Sequence, residues 1–133
     1  MNVIELSPMN YKKYFPTDLL ACTYAYPGAM GEGGAIEFFN KNGEMYHLNY
    51  CRSYFKWSDA MLNEMFPFDQ CKRGTFSAGT APEPWKAYYM GCGNFLYIHD
   101  SIVEAFEKRK PDVPSHLYKE LYNILTAIIE ETK

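Results

Sequence analysis

The stretch Trp85–Lys110 constrains the fold of this chain more than any other. It holds two short apolar runs, Tyr88–Met90 and Phe95–Ile98, rich in the aromatic and β-branched residues that suit a packed strand. The residues between them, Gly91–Asn94, include two glycines and an asparagine, which tolerate the positive φ that a tight connection requires. The pattern therefore predicts two antiparallel strands joined by a short turn.

A helix is predicted to follow the second of these strands directly. Ser101 and Glu104 have the spacing of a capping box, and Asp100 adds a negative charge where a helix N-terminus favours one. One side of this helix is apolar and the other is charged; the apolar side is formed by Ile102, Val103, Ala105 and Phe106. The central stretch is thus a strand-turn-strand-helix unit.

A second hairpin is predicted from Ala35 to Tyr50. Two strand-like runs, Ala35–Phe39 and Glu44–Tyr50, flank Asn40–Gly43, which ends in the Asn-Gly pair typical of hairpin turns. Alternation along the second run gives one apolar face and one mixed face. Near the N-terminus, Val3–Leu6 is predicted to be an edge strand, and Leu19–Cys22 a helical turn.

Two further helices are predicted. Ser58 caps a short helix that ends near Phe66, where Pro67 stops it, and a long helix covers about Ser115–Glu131. The long helix carries one continuous apolar stripe, formed by Leu117, Leu121, Ile124, Leu125 and Ile128. We therefore expect one α+β domain over residues 1–133: an antiparallel sheet of hairpins with helices packed on one face and a long C-terminal helix.

Composition fits a globular, cytoplasmic protein. The 133 residues include 47% hydrophobic residues and twelve tyrosines, enough for a core without metal or disulfides. Sixteen acidic and thirteen basic residues give a formal charge of −3, which disfavours nucleic acid as a partner. We expect no membrane segment, because the N-terminus lacks the pattern of a signal peptide and no run is long and apolar enough to span a bilayer.

No set of residues in the sequence specifies a reaction. The four cysteines form no CxxC pair. If their strands were neighbours, His47, His99 and a cysteine could converge into a metal or nucleophile site, but His47 and Cys51 span two strand repeats, which is too far for one ion. The glycine-rich run Gly28–Gly34 lacks the Lys-Ser/Thr pair of a phosphate-binding loop. We therefore predict no metal, no cofactor and no enzyme activity.

The central run WKAYYMGCGNFLYIHDSIVEAF resembles segments of small bacterial immunity proteins, which accompany polymorphic or contact-dependent growth-inhibition toxins. The likeness is a Gly-x-Gly-Asn turn between apolar strands, followed by a helix, and it covers about a fifth of the chain. The resemblance implies an antitoxin: a stoichiometric inhibitor that binds a cognate toxin domain, often a nuclease. It carries no fixed binding residues with it.

We predict the partner-binding surface from residue chemistry. Buried aromatic anchors ringed by carboxylates suit a tight interface with a basic partner, and Tyr24, Tyr26, Glu32 and Glu37 around the glycine-rich run combine both. A second acidic group is predicted on the short helix, from Asp59 and Glu64. The alternative is that these tyrosines pack in the sheet and Glu32 only keeps a loop soluble.

Two other functions remain open from the sequence. One is a small enzyme or ligand-binding domain, with a site near Gly28–Gly34 and the histidines. The other is a subunit of a larger assembly that exposes a tyrosine-rich face.

The cytoplasmic assignment makes a prediction about the thiols. Because cytoplasmic cysteines stay reduced, thiol labelling under denaturing, non-reducing conditions should modify all four cysteines. Recovery of two labels, or of none, would indicate disulfides and an oxidising compartment.

Overall fold

The computed structural model describes residues 2–15, 17–25, 35–49, 57–65, 81, 83–91 and 94–132. Within these ranges the chain forms one six-stranded mixed sheet in the order β1-β4-β3-β2-β6-β5. The strands are β1 (Asn2–Leu6), β2 (Leu19–Ala25), β3 (Ala35–Asn40), β4 (Glu44–Asn49), β5 (Trp85–Gly91) and β6 (Asn94–His99). The helices are α1 (Tyr11–Tyr14), α2 (Asp59–Met65), α3 (Asp100–Arg109) and α4 (Pro114–Glu131). The α+β class is confirmed.

Both predicted hairpins are present in the sheet. β3 and β4 are antiparallel and joined at Asn40–Gly43, where Gly43 has φ +80°. The Asn40 Oδ1 atom accepts hydrogen bonds of 3.1 Å from the backbone N–H groups of Asn42 and Glu44, which fixes the turn. β5 and β6 form the second hairpin, where Gly91 has φ +95°. A side chain at Gly91 would meet no neighbour, so its backbone conformation alone requires glycine.

The segment Leu19–Cys22 is a strand, so the predicted helical turn was wrong. It begins β2, which pairs with β3 on one side and with β6 on the other. Four apolar residues are compatible with either one helical turn or one buried strand. The segment is a strand because it forms backbone hydrogen bonds with a neighbouring strand on each side. β2 thereby joins the two hairpins into one sheet.

The sheet is mixed because β1 runs parallel to β4, with Val3 opposite Met45 and Glu5 opposite His47. β1 lies at the edge of the sheet, as predicted. The chain leaves β1 through the turn at Ser7–Asn10 and crosses a face of the sheet in α1 before it enters β2. This crossover is what lets β1 pair in the parallel sense.

Helices lie on both faces of the sheet rather than on one. One face carries Phe38, Tyr46, Leu48 and Tyr97, which pack with Tyr11 of α1 and Met65 of α2. The opposite face carries Phe39, Leu96 and Ile98, which pack with α3 and α4. Neighbouring residues of β3 and β6 thus serve different cores, because successive side chains in a strand point to opposite faces.

The long C-terminal helix packs as predicted. Every residue of the stripe Leu117, Leu121, Ile124, Leu125 and Ile128 is buried, together with Ile129. α4 lies against β5 and α3, and the side chains of Arg109 and Glu131 form an ion pair between the two helices. Among the described residues, no helix has the length and apolar character needed to cross a membrane.

A hydrogen-bonded cluster fastens α3 to the edge strand β5. The Glu107 carboxylate accepts from the Tyr88 hydroxyl and lies 2.9 Å from the Lys86 ammonium. The hydrogen bonds from Tyr88 and Lys86 hold the pKa of Glu107 below its ordinary value, whereas burial, with Glu107 beside it, raises the pKa of Tyr88. Glu107, on the charged side of α3, therefore has a structural role.

The cap of α3 differs from the predicted capping box. The N-cap is His99, whose Nδ1 atom accepts a 3.1 Å hydrogen bond from the Ser101 N–H, and Asp100 is the first helical residue. The helix begins two residues earlier than it would if Ser101 were the N-cap. The reason is that β6 ends at His99 and the Asp100 N–H donates to the Pro84 carbonyl.

Removing this cap should cost stability. His99→Ala should lower the free energy of unfolding by about 1 kcal/mol, because a helix N–H loses its acceptor. His99→Asn should keep most of it, since asparagine is a good N-cap. Urea denaturation of both variants is the measurement. If asparagine is as harmful as alanine, the edge-on contact between His99 and Trp85 matters more than the cap.

Candidate functional site

The first helix is positioned by a turn held by two short polar side chains. The Asn10 Oδ1 atom accepts from the Ser7 N–H at 2.8 Å, and the Ser7 Oγ atom accepts from the Asn10 N–H at 3.2 Å. Asn10 also donates to the Glu5 carbonyl of the edge strand at 3.2 Å. These bonds fix α1 relative to β1 and direct Tyr11 towards the core.

Tyr11 links α1 to α2. Its hydroxyl donates to the Glu64 Oε2 atom at 3.0 Å, and its ring packs edge-on against Trp57, with 5.7 Å between the ring centroids. Burial raises the pKa of the Tyr11 hydroxyl, and the hydrogen bond to Glu64 raises it further. The hydroxyl therefore stays protonated at neutral pH and holds the carboxylate in place.

The helix that carries Glu64 begins as the sequence predicts. The Ser58 Oγ atom accepts from the Met61 N–H at 3.2 Å, which is the bond expected of an N-cap. Met65 at the end of the helix is buried in the core. Glu64, one residue earlier, lies at the surface, so the helix presents its carboxylate beside an apolar side chain.

A surface cavity of about 260 Å³ lies between α1 and α2. Its lining combines apolar groups with one charge of each sign, and consists of Tyr11, Lys12, Phe15, Glu64 and Met65. Phe15 is braced by an edge-on contact with Phe38 of the sheet, at 5.1 Å between centroids. The volume is below the 300–1,000 Å³ typical of sites for drug-sized ligands, but it exceeds the cavities that hold a benzene ring. It therefore fits one large side chain or a small organic group.

The surface beside this cavity exposes large apolar groups. Tyr14 is 44% exposed, and the Lys13 ammonium lies 5.1 Å from the centroid of its ring. Met9, in the turn before α1, is 97% exposed. Exposed tyrosine and methionine beside a cavity are typical of protein-binding surfaces. We refer to α1, α2 and this cavity as the α1–α2 surface.

A second polar group lies on the opposite face of the sheet. Glu5, His47 and Glu37 stand opposite one another on β1, β4 and β3. The His47 Nδ1 atom is 2.8 Å from Glu5 Oε1; because a carboxylate only accepts, Nδ1 carries a proton. The other ring nitrogen is then free to accept when the imidazole is neutral. We call these three residues the carboxylate–imidazole row.

Glu37 is the most perturbed carboxyl group of the row. Burial raises its pKa above the ordinary value, and the nearby His47 offsets part of this. The Glu37 N–H donates to the Thr23 Oγ1 atom of β2 at 2.9 Å. A half-buried carboxylate beside an oriented imidazole can exchange protons, so the row has acid–base capacity as well as charge.

The structure describes the side chains of two predicted partner-binding residues, Glu37 and Glu64, one from each of the two predicted groups. Glu37 and Glu64 are on opposite faces of the sheet, since α2 packs on the face that Phe38 and Leu48 share. Tyr24 belongs to β2 and Asp59 begins α2, but the side chains of both lie outside the described residues. Tyr26, Glu32 and the run Gly28–Gly34 also lie outside them. Their role in binding stays a prediction.

Tyr11 and Phe15 were not among the predicted site residues. The contact between Tyr11 and Glu64 joins residues 53 positions apart, and no local pattern indicates it. The only sequence signal is indirect: three aromatic residues, Tyr11, Tyr14 and Phe15, flank the pair Lys12-Lys13.

The two histidines considered for a shared site are far apart. Three strand spacings separate β4 from β6, which places His47 and His99 about 14 Å apart across the sheet. Cys51, the third residue of that hypothesis, lies outside the described residues. Within the part of the chain that the structure describes, no three His, Cys, Asp or Glu residues are grouped to hold a metal ion.

Comparison with known proteins gave no match to any family model, curated protein or solved structure.

The carboxylate–imidazole row makes a prediction about stability. Glu37→Gln should raise the melting temperature at pH 7, because the folded state no longer holds a half-buried carboxylate. The pKa of Glu37 is higher in the folded state than in the unfolded state, where it is near 4.5. The protonated carboxyl group therefore contributes its whole stabilisation below pH 4.5, and this contribution is lost as the pH rises through the folded-state pKa. The increase in melting temperature of Glu37→Gln should therefore vanish as the pH falls below the pKa of an ordinary glutamate.

Thermal denaturation from pH 4 to pH 8 tests this, with Glu120→Gln on the exposed side of α4 as the control of equal charge change. A variant that is less stable than the parent at pH 7 would show that the Glu37 charge is stabilised in the folded state.

Proposed function

We propose that this chain is an immunity protein, a stoichiometric inhibitor that binds a cognate toxin domain in the bacterial cytoplasm. The observation that carries the proposal is the cavity of about 260 Å³ between α1 and α2, which combines apolar walls with a fixed carboxylate. The resemblance of the central stretch to immunity proteins points the same way.

The size and lining of the cavity favour a protein partner over a cofactor. Tight interfaces draw most of their energy from a few side chains, mainly Trp, Tyr and Arg, that enter well-packed pockets. A cavity of this volume receives one such side chain, whereas a dinucleotide or haem needs a much larger one. The exposed Tyr14 beside it supplies a second contact of the same kind.

The charges of the α1–α2 surface give selectivity. α1 carries Lys12 and Lys13, and α2 presents Glu64 at the surface. A partner must match this mixed pattern, because like charges brought together in an interface cost several kcal/mol. A nuclease toxin, which presents basic residues to its substrate, can place one of them against Glu64 while avoiding the lysines.

A second candidate function is a small ligand-binding or catalytic domain. The carboxylate–imidazole row favours it, because Glu5 orients His47 and Glu37 has a raised pKa. Orienting carboxylate, imidazole and proton donor are the parts of general acid–base catalysis. Binding of a small substrate that is lost in Glu37→Gln and His47→Ala would support this candidate over the inhibitor.

The test of the inhibitor is protection. Cells that express a candidate toxin domain from a neighbouring gene should survive when they also express this chain, and the two proteins should elute together as a complex of fixed stoichiometry. Survival with a catalytically inactive toxin is the control for expression. If cells with both proteins die as readily as cells with toxin alone, the chain is not an immunity protein.

The α1–α2 surface can be tested within that complex. Tyr14→Ala should weaken binding by about 2 kcal/mol, or about thirtyfold in Kd, as expected of an aromatic anchor. Tyr118→Ala is the matched control, because Tyr118 is 54% exposed on α4, on the other side of the sheet. Calorimetric titration measures both. Weakening by Tyr118→Ala alone would place the interface on α4.

A further inference from the structure

The carboxylate at the α1–α2 cavity is held in place before any ligand arrives. The Tyr11 hydroxyl donates to Glu64 Oε2, and the Tyr11 ring is packed between the sheet and Trp57. Two aromatic side chains, Tyr11 and Phe15, line the same cavity. A fixed negative charge beside aromatic rings is a pattern that favours a cation, since the face of a ring carries negative potential.

We propose that this cavity binds a guanidinium group, and that in the complex the group is an arginine side chain of the toxin domain. The identity of the partner rests on the proposed function; the preference of the cavity for guanidinium does not. The binding group would lie with its plane against the aromatic lining and donate to the Glu64 carboxylate.

The cavity has one charge of each sign, and the charge that is fixed in position determines whether a cation or an anion is preferred. Glu64 is fastened by Tyr11, whereas Lys12 is an exposed side chain on a helix of four residues. A long exposed lysine can turn its ammonium into water at little cost, so it does not block a cation. An anionic ligand would have to approach the fixed Glu64 carboxylate and lose solvation there.

Guanidinium fits better than ammonium for two physical reasons. It is planar and more weakly hydrated, so it gives up less on entering an apolar cavity and stacks on aromatic rings. It also presents parallel N–H donors, which can reach both carboxylate oxygens even though the Tyr11 hydroxyl already occupies one lone pair of Oε2. An ammonium makes a single point contact.

The experiment uses the isolated chain and small probes, so it does not depend on the toxin. Ethylguanidinium, propylammonium and propanol are titrated separately, and the methyl resonance of Met65, which lines the cavity, is followed by NMR. Ethylguanidinium should bind saturably and shift this resonance. Its affinity should exceed that of propylammonium severalfold, and propanol should produce no saturable shift.

Variants then locate the charge. Glu64→Gln should weaken ethylguanidinium binding about tenfold, the effect of a hydrogen bond to a charged group. Glu120→Gln makes the same change of charge on the opposite side of the sheet and should leave the affinity unchanged. Lys12→Gln should leave binding intact or strengthen it, because it removes a like charge from the rim.

Three results would overturn the inference. They are propylammonium binding as tightly as ethylguanidinium, the Glu64→Gln variant binding ethylguanidinium like the parent, and the Lys12→Gln variant losing ethylguanidinium binding. None of them bears on protection from the toxin. Conversely, saturable guanidinium binding in a chain that fails to protect cells would refute the proposed function and leave the cavity preference standing.

Discussion

The antiparallel pairing of β2 with β6 is the contact on which the rest of the structure depends. It places Cys22 opposite Tyr97, two fully buried residues from opposite halves of the chain, and it joins the two hairpins into one sheet. Because successive side chains alternate, the same two strands supply Cys22 and Tyr97 to one core and Ala21 and Leu96 to the other. Without this pairing neither pair of helices would have a continuous surface to pack on, and α1 and α2 would not be held at a fixed separation.

Local signals predicted the elements whose geometry is set locally. The turn at Asn40–Gly43 requires positive φ at Gly43, and the chain places glycine there, so the hairpin was readable from the sequence. The apolar stripe of α4 was equally readable, because five residues at helical spacing have only one way to be buried together. Both features depend on residues within a single window.

The features that could not be predicted from the sequence depend on contacts between residues far apart in the chain. Leu19–Cys22 became a strand because both of its edges were paired, and β1 became parallel because α1 carries the chain across a face of the sheet. His99 displaced Ser101 as the cap of α3 because β6 ends where the helix must begin. The candidate site is the extreme case: Tyr11 and Glu64 meet only when both helices pack on the same face, a contact that no local pattern in the sequence indicates.

The same dependence on packing makes the α1–α2 cavity a better binding site than its short helices suggest. A helix of four residues has little stability of its own, but α1 is fixed by the Ser7–Asn10 turn at one end and by Phe15 against Phe38 at the other. The aromatic residues that line the cavity, Tyr11 and Phe15, are therefore held in place before a partner binds, and binding does not have to bear the entropy of ordering them. A cavity between two braced helices therefore gives an anchoring side chain a site whose aromatic walls do not have to become ordered on binding.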